Sequence, residues 1–134
     1  MMIYHLVKMS IGVSVEENTL KYETIIIKIT TENWRLMKLC LKVIAKLNAS
    51  EANRYLNQIR YFQKTIHDRL DEVDMKLINL EGEVFDPGMA ATPLNIDEFK
   101  IEDKLLVEQM IEPLIMKDGN IKKQAIISLK KVDS

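Results

Sequence analysis

Gly82-Glu83-Val84-Phe85-Asp86-Pro87-Gly88 lies between a heptad-patterned stretch and an alternating, β-prone tail, and the reading of the fold turns on it. Phe85 is a large apolar anchor, Asp86 a turn-forming carboxylate, and Pro87 a residue of fixed φ without an N–H. Upstream, residues 31–80 carry helical periodicity. Downstream, residues 81–134 hold all three prolines and, apart from Gly12, all the glycines. The expected class is α+β: a helical region, as a helix pair or one long helix, followed by a small antiparallel β head.

The helical region begins at Thr31, which can cap a helix. Its apolar positions run from Trp34 through Met37, Cys40 and Ile44 to Leu47, and only Arg35, Lys38, Lys42 and Lys46 form a polar stripe. A helix so widely apolar must be covered on more than one side. At Asn48-Ala49-Ser50 the pattern can break, with Ser50 capping a second helix. One continuous helix of nearly fifty residues is the alternative.

Further along, Leu56, Gln63, Leu70 and Leu77 recur at one heptad position, and Ala52, Ile59, Ile66 and Val73 at the other. Leucine at a and isoleucine at d lean towards a four-stranded bundle, most simply two chains giving two helices each. Leu56, Ile59, Gln63, Ile66, Leu70 and Val73 are therefore the expected dimer interface, with Gln63 fixing register. The same pattern also suits an intramolecular helix packed on a sheet.

In the tail, Asp118-Gly119 separates Leu114-Ile115-Met116 from the run Ile121–Leu129. Asp-Gly between β-prone runs signals a hairpin. Pro113 removes a ladder donor and places the segment Leu105–Met116 at an edge or bulge. The charged stretch Glu98–Asp103 reads as a loop. Residues 1–30 read as β-prone: Thr24–Thr30 is rich in β-branched residues, Glu16-Glu17-Asn18 is a plausible turn before it, and a hairpin is the simplest arrangement.

The chain has 134 residues, 47% apolar and 29% charged, with a net charge of −1. That charge gives no support for a nucleic-acid or acidic-membrane partner. The apolar stretch Leu36–Leu47 is broken by three lysines and is too short to span a bilayer. Met1–Val15 lacks a basic leader and a clear cleavage site. A single cysteine, Cys40, excludes an intramolecular disulfide and suits a cytoplasmic location.

Catalysis finds little support. His5 and His67 are far apart and have no Cys or His neighbours at metal-ligand spacing. Cys40 falls on an apolar helix face, where a small buried hydrophobe is the default. Asp68, Asp71, Glu72 and Asp74 lie near Arg69 and Lys76 as a solvated charged face. No glycine-rich phosphate loop exists, so neither a nucleotide nor another cofactor is expected on this chain.

From about residue 51 onward the chain resembles GrpE, the nucleotide exchange factor family of DnaK-type chaperones. A helix, a short strand and then Gly82-Glu83-Val84-Phe85-Asp86-Pro87 are similar to that family's entry into its β head. Asp118-Gly119 followed by Lys123-Gln124-Ala125-Ile126-Ile127-Ser128-Leu129 is similar to its closing hairpin. Three departures stand beside the likeness. Ala90-Ala91-Thr92 occupies the place of the family's His-x-Ala, and the region around Pro113-Leu114-Ile115 that of its Gly-Tyr. The long N-terminal stalk is absent or replaced by residues 1–30.

The resemblance implies a homodimer formed by the helices. It implies a β head wedged against the nucleotide-binding domain of a DnaK-type chaperone, accelerating ADP release without a catalytic residue. Phe85 and Pro87 would shape the contact loop, Met89 would add an adaptable apolar contact, and Lys123 a charge contact. The rival is a coiled-coil assembly or adaptor protein whose β domain caps a bundle and has no exchange activity.

Overall fold

Nothing between Val13 and Glu81 is glycine or proline, so only side-chain preferences decide where helices start and stop there. The computed structural model describes residues 2–133, with side chains from residue 15 onward. Helix α1 runs over Met2–Ile44 and helix α2 over Ala49–Asp71. Six strands follow: β1 Met75–Ile78, β2 Ala91–Pro93, β3 Leu105–Glu112, β4 Leu114–Lys117, β5 Asn120–Lys123 and β6 Ala125–Lys131. The class is α+β, two helices followed by a small, mostly antiparallel β head. The chain divides into two units, Met1–Thr30 and Thr31–Ser134, each described by itself.

The first unit is helical, which corrects the expected hairpin. Helix propensity penalises β-branched residues by only a few tenths of a kcal/mol each, and no breaker interrupts the run. The threonines are accommodated by back-bonding: Thr19 Oγ1 donates to the Val15 carbonyl and Thr24 Oγ1 to that of Leu20, both at 2.9 Å. Glu16-Glu17-Asn18 lies within α1 as well, and is no turn. Readings that rest on the side chains of residues 1–14, His5 and the absent leader among them, fall outside the described residues.

Thr31 lies inside α1 and does not start a helix. The break after Ile44 gives two helices, not one. Asn48, and not Ser50, caps α2: its backbone is extended (φ −66°, ψ 160°) and its Oδ1 accepts the Glu51 N–H at 3.0 Å. The expected helical region to residue 80 is too long. Helix α2 stops at Asp71, and Asp74 takes a positive φ of 58° that leads into β1. Val73 therefore lies in the turn and Leu77 on β1, so the heptad stops short of both.

The β head is built round one bent hairpin. β4 pairs antiparallel with β5, and β3 with β6, but the two halves belong to different sheets. The arms change sheet at Pro113 on one side and Gln124 on the other. Pro113 brings no N–H to the ladder, so the break falls where a donor is missing anyway. The sheet order is β1-β4-β5 in one and β2-β6-β3 in the other, with β2 parallel to β6. At the tip, Asp118 (φ 50°) and Gly119 (φ 79°) form the two-residue turn with positive φ at both positions that Asp-Gly favours.

On β6 the side chains of Ala125, Ile127 and Leu129 are buried while Ile126 and Ser128 are half-covered, the period of two that a one-sided sheet demands. They join Val107, Met110 and Leu114 in the main core, together with Trp34 and Met37 from α1. The head therefore does not close its core alone. The last turns of α1 complete it.

Candidate functional site

The segment from Leu80 to Ala91 is held by its backbone to the outer edge of β3. The Gly82 N–H donates to the Val107 carbonyl at 2.9 Å, that of Val107 to Glu83 at 2.9 Å, and that of Phe85 to Leu105 at 2.8 Å. Val84 forms a single bridge with Leu106. Beyond it, Asp86 Oδ1 accepts the Gly88 N–H at 3.0 Å, and the Asp86 carbonyl accepts that of Met89 at 2.9 Å. Two hydrogen bonds from one residue lock the turn, with Pro87 exposed at its tip.

Phe85 and Met89 are half-buried and pack on the main core, so they root the loop. Pro87 shares a groove of about 580 Å³ with Val84, Phe85, Ile96, Phe99 and Ile101. Val84 is 53% and Ile96 40% exposed there, and Ile101 is fully so. Lys100, Asp103 and Lys104 rim it. Asp103 is held in place: the Lys100 backbone N–H donates to its Oδ2 at 2.9 Å, and Lys131 Nζ lies 3.4 Å from its Oδ1. The Lys100 hydrogen bond, aided by Lys131, holds this carboxyl below its ordinary value against the opposing effect of burial.

Lys123 does not line this groove. Its Nζ is 3.1 Å from Glu112 Oε1, and Glu112 Oε2 is 3.1 Å from Arg35 Nη2. Lys123 and Glu112 are both largely covered, so the pair works as part of the joint between β5, β3 and α1. A second joint stands beside it. Trp34 Nε1 donates to the Met110 carbonyl at 2.6 Å, and Lys38 Nζ reaches both carboxylate oxygens of Glu81 at 2.6 and 2.8 Å. Lys38 also lies 5.4 Å from the centroid of the Trp34 ring. Sequence reasoning placed Trp34 only as an apolar position and Lys38 only in a polar stripe. The sole signal for more was the rarity of tryptophan, present once.

The seam assigned to a dimer lies largely covered within the chain. Leu70 is buried, while Ala52, Leu56, Ile59, Gln63, Ile66 and Val73 are half-covered. Ile59 packs against the main core, and Gln63 Nε2 donates to Met37 Sδ at 2.9 Å. Gln63 thus finds its partner on α1 of the same chain. Beside this seam, Leu39, Cys40, Val43, Ile44, Leu47 and Tyr55 line an apolar groove of about 530 Å³ between the two helices.

Among the described residues no three His, Cys, Asp or Glu side chains come together as a metal-ligand group. His67 is exposed on α2 and Cys40 half-buried on α1. No helix among the described residues is long and apolar enough to cross a membrane. No family model, no curated protein and no solved structure matches this chain.

Proposed function

We propose that this chain is a GrpE-like co-chaperone. Its β head binds the nucleotide-binding domain of a DnaK-type chaperone in the cytoplasm and accelerates ADP release. The observation that carries the reading is the Phe85–Pro87 loop: rooted in the core by Phe85, locked by Asp86, and offering Pro87 beside the exposed apolar side chains Val84, Ile96 and Ile101. A rigid, preformed apolar tip suits a protein that wedges against a partner, because little ordering cost is left for the moment of binding.

Exchange requires no bond chemistry. The factor accelerates release by binding the open chaperone better than the closed, ADP-holding one, and that difference limits the effect. Pro87, Val84 and Ile101 make the contact in this reading, while Phe85 and Met89 hold its shape. Lys123 contributes through its pair with Glu112, by keeping β5 and β3 in register with α1.

The test is the release rate of a fluorescent ADP analogue from a DnaK-type chaperone of the same source, with increasing amounts of this protein. Saturable acceleration supports the reading, and a rate unchanged at every concentration overturns it. A Val84→Asp/Ile101→Asp variant, altered only at exposed positions, should weaken the half-saturating concentration by about tenfold or more. The second reading, an assembly or adaptor protein, draws on the exposed apolar residues of α1. It predicts self-association with no change in ADP release.

A further inference from the structure

Two grooves in the unit Thr31–Ser134 share a wall. The first is the inter-helix groove of about 530 Å³, apolar along Leu39, Val43 and Leu47 on α1, with Tyr55 on its α2 side. Apart from the Cys40 thiol, its polar groups are the Tyr55 hydroxyl and the Gln58 amide. The second groove, of about 600 Å³, lies between α1 and β3 over Met110 and Ile111, and Arg35, Lys38 and Lys42 stand along its α1 side. Leu39 lines both and is 57% exposed, so the apolar groove and the basic one meet at this side chain.

No carboxylate lines either groove. Arg35 is committed to Glu32 and Glu112, and Lys38 to Glu81. Lys42 and Lys46 are exposed, and among the described residues neither forms an ion pair. They follow Leu39 and Val43 by three residues, and so stand beside them on the helix surface. On the α2 side, Arg54 lies 5.1 Å from the centroid of the Tyr55 ring, with its Nη2 3.4 Å from the Tyr55 hydroxyl. Glu51, one turn before Tyr55, lines neither groove.

We propose that the inter-helix groove binds the hydrocarbon tail of a long-chain carboxylate, with the head group turned towards Lys42. The volume falls within the roughly 300–1,000 Å³ of small-molecule sites, and an apolar lining with few polar groups is their usual make-up. Uncommitted cations on both sides select the sign of the head group: an anion gains from Lys42, Lys46 and Arg54, and a cation is repelled by all three. The site uses neither the Phe85–Pro87 loop nor the exchange reading.

Cys40 lines the groove and is the single cysteine of the chain, so its alkylation reports occupancy in place. With the full chain at micromolar concentration, dodecanoate below its micellar concentration should slow the reaction of Cys40 with iodoacetamide about tenfold, half-saturating on the order of 0.1 mM. Dodecyltrimethylammonium has the same tail and the opposite head charge, and at that concentration should leave the rate within about twofold. Lys42→Glu should raise the half-saturating dodecanoate concentration about fivefold, and Val43→Glu, at an exposed position, should abolish the protection. An alkylation rate unchanged or raised at every dodecanoate concentration overturns the site. Equal protection by the two amphiphiles overturns the head-group assignment, as does a Lys42→Glu variant that binds like wild type. Protection that rises with protein concentration in the absence of any amphiphile means that a second copy fills the groove, and overturns the proposal as well.

Discussion

Trp34 is where α1 and the β head become one core. Its ring is buried among strand residues, and its Nε1–H is directed at the Met110 carbonyl on β3. Replacing it with phenylalanine keeps most of the apolar contact but leaves that buried carbonyl without its donor. Trp34→Phe should therefore lower unfolding stability by about 1–3 kcal/mol, measured by circular dichroism in urea. Asp103 carries a pH signature of its own. Its folded-state carboxyl is held below the ordinary value of 3.8, mainly by the Lys100 N–H, so its charged form stabilises the head at any pH above that value. Asp103→Asn keeps an acceptor but removes the charge. The variant should melt below wild type at neutral pH, and the gap should close as pH falls below 3.8. A gap that persists in acid would mean that the side chain acts through packing and not through charge.

Among the elements, the tip of the bent hairpin is the one whose geometry the residues dictate most directly. Asp118 and Gly119 both hold positive φ, and Gly119 at 79° lies where a side chain is strained whatever the surrounding space. Gly119→Val should cost roughly 1–2 kcal/mol, while Gly88→Ala should be within about 0.5 kcal/mol of wild type, again by urea denaturation. At Gly88 an added Cβ meets only the Asp86 carboxylate at ordinary contact distance. Asp-Gly was legible because turn type and residue type are tied by local sterics. Thr24–Thr30 was not, because β-branched residues fit a strand or a helix and the outcome rests on the absence of a breaker along the whole run. The heptad of α2 shows the same limit from the other side. Ile59 and Gln63 have the spacing of a seam, but spacing cannot say whether the opposite wall is another chain or, as here, Met37 and the head's own core. The pairing of Lys123 with Glu112 was not legible for a related reason: it depends on how β3 and β5 meet, which no local pattern encodes.

At the level of the whole molecule, the chain presents apolar residues in two settings, with different consequences for stability. In Thr31–Ser134 the helices' inner faces and the two sheets close a core within one chain, with Trp34 in its midst. In Met1–Thr30 the helix exposes Val15, Tyr22, Ile25 and Ile29, and a helix alone in water is marginal however well its residues suit it. In the assembly reading a second copy covers that row, so association and helix stability are linked by mass action and the melting midpoint depends on protein concentration. Two probes separate the effects. Far-UV ellipticity is weighted towards the 43-residue α1, whereas Trp34 emission reports the unit that holds the β head. A tenfold rise in concentration should move the ellipticity midpoint up by about a few degrees. Tyr22→Glu/Ile29→Glu should abolish that dependence while leaving the Trp34 midpoint near that of wild type at low concentration, since neither residue belongs to the head's core. An ellipticity midpoint that stays fixed across that range in wild type would argue that the row meets something other than its own copy.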